Sequence, residues 1–204
     1  MTKQQIIDKF FLYLDDMSEL STSEAGDLFD KQYRKINSNR PWEGTKKEHT
    51  ATVSGETTPL PEDFLYLTAN NNFTESSEHA SNPVVFVGSA PTPFTVVSFS
   101  DRRRYRNRTN VCWIDIAGNQ LKFASPVSAQ AMEFDYHSSM PQLGMSDSPW
   151  FPAEFHDIVY HAMCVDDFII NQSEKARSYQ DEHQAQYTDY LNRMAYWNAK
   201  LIQM

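Results

Sequence analysis

The chain is poor in glycine, nearly free of cysteine and without a surplus of positive charge, and each shortage removes a class of function. Its six glycines are scattered over 204 residues. No glycine-rich loop can therefore gather backbone N–H groups around a phosphate, and nucleotide binding of that kind is not expected. Cys112 and Cys164 are the only cysteines. Two thiols are too few for a disulfide framework or a four-ligand structural zinc site, so a reducing compartment is expected. The formal charge of −9 runs against the basic face that nucleic acid or an anionic membrane demands of a whole molecule. No apolar run reaches the roughly 18 residues of a membrane span, and no basic stretch followed by an apolar core and cleavage site opens the sequence. A soluble protein that is not exported is the expectation.

What is present suffices for a core: 40% of residues are hydrophobic and 13% aromatic, which excludes wholesale disorder. Near the N-terminus, Ile6, Ile7, Phe10, Phe11, Leu14 and Met17 form one helical stripe over 2–18, with Lys3, Asp8, Lys9, Asp15 and Asp16 off it. Ser21 and Glu24 read as a capping box for a second helix carrying Ala25, Leu28, Phe29, Tyr33 and Ile36 and ending near Asn37. The longest helical periodicity closes the chain. Phe155, Ile158, Val159, Ala162, Met163 and Ile169 make one stripe. After a break at Asn171-Gln172, Ala176, Tyr179, His183, Tyr187, Tyr190, Leu191, Met194, Trp197 and Leu201 make another.

Between these ends the period changes. Segments 50–53, 64–68, 84–87 and 94–99 are short strand candidates, and Pro91-Thr92-Pro93 is a stiff connection that cannot sit inside a central strand. The stretch 70–82 is too polar to pack and is expected to be an exposed loop. Segments 112–116 and 120–124 around Gly118-Asn119 form the clearest hairpin signal, with the Gly-Asn pair supplying positive φ. Met132, Phe134 and Tyr136 alternate with Glu133, Asp135 and His137, as in a half-buried strand. The expected fold class is α+β: an antiparallel helical bundle of residues 1–41 and 149–204, with an antiparallel β-rich domain inserted over 42–148. Phe10 or Leu14 should then share a core with Phe155 or Val159, because no stripe can be buried by its own helix.

The chemistry-bearing residues assemble poorly. His156 and His161 are five apart and diverge around a helix, unlike the i, i+4 pair of a zinc helix. Asp166 and Asp167 are adjacent and face different ways, so they read as solvated charges, and Cys164 reads as a small core residue. Catalytic residues, metal and cofactor are all expected to be absent. The one sharp deviation is Arg102-Arg103-Arg104-Tyr105-Arg106-Asn107-Arg108. So many guanidinium groups repel one another unless they meet carboxylate or phosphate, and Tyr105 adds a face for stacking or packing. Three readings stay open: contact with an acidic patch of a neighbouring protein subunit, contact with nucleic acid, and a solvated loop.

Tyr33-Arg34, Trp42, Leu60-Pro61-Glu62-Asp63-Phe64, Ile116-Ala117-Gly118-Asn119-Gln120-Leu121, Asp135-Tyr136 and Phe151-Pro152-Ala153-Glu154-Phe155-His156-Asp157 follow one another along nearly the whole chain. In that order the sequence resembles the head-to-tail adaptor, or connector, proteins of tailed bacteriophages. Only the segment 70–110 departs from their pattern. The resemblance singles out Trp42, Leu60, Pro61, Asp63, Phe64, Gly118, Asn119, Asp135, Tyr136 and Pro152 as structural motif positions. It implies a homo-oligomeric, twelve-fold ring in the virion, made in the host cytoplasm and seated below the portal protein. Such a ring prolongs the DNA channel, lets genomic DNA pass without sequence-specific binding, and docks a tail or tail-completion protein. The other classes are a different virion component, either tail-completion or capsid-decorating, and a DNA-binding module acting through Arg102, Arg103, Arg104, Arg106 and Arg108.

Overall fold

A computed structural model describes residues 1–14, 20–68, 83–88, 92–171 and 174–202. The loop expected over 70–82, together with Met17, Pro91, Gln172 and the side chains of Ile169 and Ala176, lies outside the described residues. The chain is α+β and divides into two compact units, Met1–Gly44 with Met140–Met204, and Thr45–Ser139.

The first unit holds α1 (Lys3–Leu14), α2 (Thr22–Ser38), α3 (Asp157–Asn171) and α4 (Glu174–Ile202). Helix α2 begins as its sequence dictates. The Ser21 side chain accepts from the Glu24 N–H, and the Glu24 carboxylate accepts from the Ser21 N–H at 2.8 Å, which satisfies two otherwise orphaned donors. Pro152 precedes a 3-10 turn, Ala153–Phe155, that leads into α3; its carbonyl accepts the Phe155 N–H at 2.9 Å. The apolar stripes converge on one core in which Ile6, Phe10, Phe29, Ile36, Trp42, Ile158, Val159, Met163 and Met194 are fully buried and Phe155 nearly so. Phe10 thus shares a core with Phe155 and Val159, as the stripes required.

Four positions in this unit depart from the sequence reading. Asp167, expected as a solvated charge, is buried at 4% exposure, because α3 turns it inward while Asp166 pairs with Lys31. Lys3, expected off the stripe, is buried against Asp30 at 2.7 Å. Tyr179 and Leu201, expected on the stripe of α4, are 44% and 39% exposed. Asn198, unremarked in the sequence, is buried and fastens α4 to the segment after α2: its Oδ1 accepts the Glu43 N–H at 2.8 Å and its Nδ2 donates to the Pro41 carbonyl at 3.3 Å. A buried amide that closes two backbone groups far away in sequence leaves no periodic signal. Gly44 lies so close under the Trp150 ring that any Cβ would overlap it.

The second unit is a six-stranded sheet built from β1 (Lys46–Pro59), β2 (Phe64–Leu67), β3 (Val84–Val87), β4 (Thr92–Val96), β5 (Val111–Asp115) and β6 (Gln120–Ser138). Its path runs β1-β6-β3-β4-β5, with β2 and β5 also paired to β6. The antiparallel expectation needs correction at one pair, because β4 and β5 run parallel, Thr95 opposite Val111 and Val96 opposite Cys112. Strand lengths differ too. The two segments expected at 120–124 and 132–136 are one strand, β6, which passes through Pro126. This works because the register slips there: β1 moves from Gly55 to Thr57 while β6 moves from Val127 to Lys122, and a bulge removes the ladder bond that proline cannot make. Gly55, at φ 95°, takes the left-handed conformation on the opposite strand.

Pro93 lies within β4. It is tolerated near the strand's start, where β3 pairs with it through Phe86 but the pairing with β5 has not yet begun. The turn from β5 to β6 spans residues 116–119, with Asp115 opposite Gln120. Only Asn119, at φ 45°, has positive φ; Gly118 does not. This four-residue loop is therefore not the two-residue primed turn in which both central residues need that conformation. The inward side of β6, led by Leu121, Phe123, Met132, Phe134 and Tyr136, closes this unit's core with Val53, Val85 and Cys112.

Candidate functional site

The arginine run owes its display to the parallel pair. Two parallel neighbours cannot be joined by a tight hairpin, so the chain leaving β4 must cross back before β5 begins. Residues 97–110 make that connection. It is short and self-bonded: the Asp101 N–H donates to the Ser98 carbonyl at 3.0 Å, the Ser98 hydroxyl donates to Asp101 at 2.8 Å, and a 3-10 turn, Asp101–Tyr105, follows. The Arg108 N–H then donates to the Tyr105 carbonyl at 3.0 Å, and Asn107 and Asn110 take φ of 69° and 59°, which asparagine tolerates best among residues with a Cβ. Both strands anchor the ends. The Thr95 N–H donates to the Asn110 carbonyl and the Val97 N–H to the Cys112 carbonyl, each at 2.9 Å.

On this frame Arg103, Arg104, Arg106 and Arg108 are exposed, whereas Arg102 and Tyr105 are half-buried. The Arg102 guanidinium stacks over Phe99 at 3.6 Å and donates to the Phe99 carbonyl. Among the described residues none of the five arginines has a carboxylate within ion-pair distance, although Lys3, Lys9, Lys31, Lys46, Lys47 and Lys122 all do. The turn is a concentrated cationic surface whose charge the described part of its own chain leaves unmatched.

The motif positions lie elsewhere and serve architecture. In the sheet unit, Asp63 accepts from the Tyr136 hydroxyl at 2.9 Å and from Lys47 at 2.5 Å. Burial pushes the Asp63 carboxyl up, but these two donors outweigh it and hold the group below the usual carboxylate range. Tyr136 is driven the other way, to about 12, by burial and by the carboxylate it donates to. Phe64 stacks on Tyr136 with centroids 5.8 Å apart. Leu60 is buried, Pro61 half-buried, and the Leu60 N–H donates to the Asn119 carbonyl at 3.0 Å, so two separated motifs meet. Gly118 donates to Asp115, which is paired with Lys122 at 2.7 Å, and Asp135 is paired with Lys46 at 3.3 Å. Trp42, in the helical unit, is fully buried and its indole N–H donates to the Ile36 carbonyl at 2.9 Å. Its burial shows it as a helix-end plug there.

A cluster that the sequence did not reveal lies where α3 meets α4. The Nδ1 atoms of His161 and His183 are 2.8 Å apart. At that distance one ring must donate and the other accept, so the two rings cannot both be protonated without breaking the bond. Lys9 and Tyr13 of α1, Asp157, Tyr160 and Cys164 of α3, and Tyr179, Glu182 and Tyr190 of α4 surround it. Burial, then the neighbouring His183, pushes His161 down to about 4, and burial lowers His183 as well. The folded chain therefore binds fewer protons than the unfolded one between about 4 and the ordinary 6.5. Stability from this pair is complete above 6.5 and is lost as pH falls toward 4. The expected loss is about 2 kcal/mol, less than the full conversion because the ring keeps some contact with water. Urea midpoints measured from pH 4 to 7 should show a shallower slope in His161→Gln than in the parent chain; an unchanged slope would refute the assignment.

Comparison with known proteins gives one whole-chain result. The family model described as SU10 adaptor protein matches residues 1–202. No curated protein matches the chain. No helix among the described residues is long and apolar enough to cross a membrane, and among them no group of three or more His, Cys, Asp or Glu is placed to hold a metal ion.

Proposed function

We propose, since the chain belongs to the SU10 adaptor protein family, that this phage structural protein works at the head-tail junction as a ring-forming adaptor. In this reading the helical unit is an antiparallel bundle and the sheet unit is its inserted domain. Copies stand side by side, twelve to a ring, below the portal protein. The ring continues the DNA channel and presents a docking surface to the tail or a tail-completion protein. The single observation that carries the proposal is the family match, which leaves almost no residue of the chain unaccounted for.

The physical chemistry supports it. A net charge of −9 suits a channel wall past which duplex must slide, because phosphate is repelled rather than retained. The exposed arginines suit contact with another protein's carboxylates, where the planar guanidinium forks bidentately. No catalytic residue or cofactor is needed for either task. The test is electron microscopy and mass measurement of the purified full chain with and without its cognate portal. Closed rings that cap the portal are expected; a chain that binds neither itself nor the portal would overturn the proposal.

A further inference from the structure

The outward side of the β1–β6 ladder carries a cleft of about 260 Å³. Glu48 stands opposite Asp135 in the register, Thr50 opposite Glu133, and Phe86 of β3 is also paired with Glu133. Glu48, Glu133 and Asp135 thus fall on one side of the sheet and line the cleft together with Thr68 and Phe86. Of the three carboxylates only Asp135 has a cation, Lys46 at 3.3 Å; Glu48 and Glu133 are exposed and have no ion-pair partner among the described residues. The cleft therefore offers two carboxylates that no cation among the described residues pairs, beside the Phe86 ring. That combination is what a guanidinium group uses: charge, acceptors for its N–H fork, and a face to lie on, as Arg102 already lies on Phe99.

We propose that the arginine turn of one copy of this chain docks into the Glu48, Glu133 and Asp135 cleft of a second copy. The two halves of the contact are both unmatched among the described residues of one chain. The cleft is lined by none of the arginines, and none of them is ion-paired with its carboxylates. Charge complementarity therefore commits the occupant to another copy, and it disfavours DNA, which the cleft's carboxylates would repel. Two different patches meeting in this way make a heterologous, head-to-tail contact, which either closes into a ring or propagates as a filament. The inference rests on the ring reading and supplies the contact between neighbours that it needs.

The experiment uses two full-length charge-reversal variants followed by sedimentation and native mass spectrometry at low salt. Arg103→Glu with Arg106→Glu makes the turn acidic; Glu48→Lys with Glu133→Lys makes the cleft basic. Each alone is expected to weaken self-association on the order of a hundredfold, with unfolding midpoints unchanged because all four side chains are exposed. Mixed one to one, they should assemble again with the copies alternating, since each mismatched patch then meets its complement. Should a reversal disturb folding, the serine triple Arg103→Ser, Arg104→Ser and Arg106→Ser removes the charge without inverting it, and weakened assembly is again expected. Parent-like assembly of the variants, a mixture that stays apart, or a parent chain that remains monomeric would overturn the contact. So would loss of duplex DNA binding in the arginine variant with its assembly intact. Portal binding is read in parallel: a chain that caps the portal but ignores the reversals keeps its adaptor function and loses only this contact.

Discussion

Asp30→Ala is expected to destabilise the helical unit by about 3–5 kcal/mol, because it strands a buried ammonium group without its counter-charge. Lys3 and Asp30 are 4% and 6% exposed, and their charged atoms are 2.7 Å apart. Both members have further partners. Lys3 donates to the Leu143 carbonyl at 3.3 Å and lies over the Phe29 ring at 5.3 Å, while the second oxygen of Asp30 accepts from Gln142 at 2.6 Å. Removing the carboxylate breaks bonds to α1 and to the 140–149 segment together, and that segment also holds the start of α1 through the Asp147 and Met145 carbonyls. Urea unfolding of the single variant measures the loss. The double change Lys3→Met with Asp30→Leu should recover most of it, since a buried pair replaced by apolar groups of similar volume is often near neutral. A single-variant loss below about 1 kcal/mol would mean that water reaches the ammonium group.

Phe155→Ala is expected to cost about 3–5 kcal/mol, from lost transfer energy and the cavity left in a close-packed interior. Phe155 is 3% exposed and sits in the core formed by all four helices. Its ring centroid is 6.0 Å from that of Trp197. Trp197→Ala should cost less, because Trp197 is only partly buried at the edge of the same core and already borders water on one side. The two denaturation midpoints should therefore fall in that order. An unchanged midpoint for Phe155→Ala would show that the stripe faces a partner rather than the core.

The helical unit was legible because its signals are periodic and local. The stripe through Ile6, Ile7 and Phe10, the Ser21 and Glu24 box, and the stripe through Ile158, Val159 and Met163 each fix an element within a few turns, and each has one way to be buried. The β unit was legible only in pieces. Pro126 ends a strand in sequence terms, yet β6 continues through it because β1 supplies a bulge at a distant glycine. Strand direction was equally hidden. Nothing within 92–115 distinguishes a parallel from an antiparallel neighbour, since both ladders accept the same β-branched and aromatic residues.

The arginine run was visible as composition, and its charge alone demanded a partner. The sequence by itself could not place it on a crossover that keeps four guanidinium groups in solvent, nor show that Glu48 and Glu133 share one side of the sheet with no ion-pair partner among the described residues. Lys3 with Asp30, His161 with His183, and Asn198 with the 41–43 segment share that character: each joins residues far apart in the chain, and each polar group looks solvated until its partner is brought to it. Local pattern determined where the helices form and which of their sides seek a core, because burial of a stripe is decided within one element. Pairing, strand direction and the fate of individual charges were left to the tertiary structure, because desolvation and ion pairing depend on distances that only the folded chain sets.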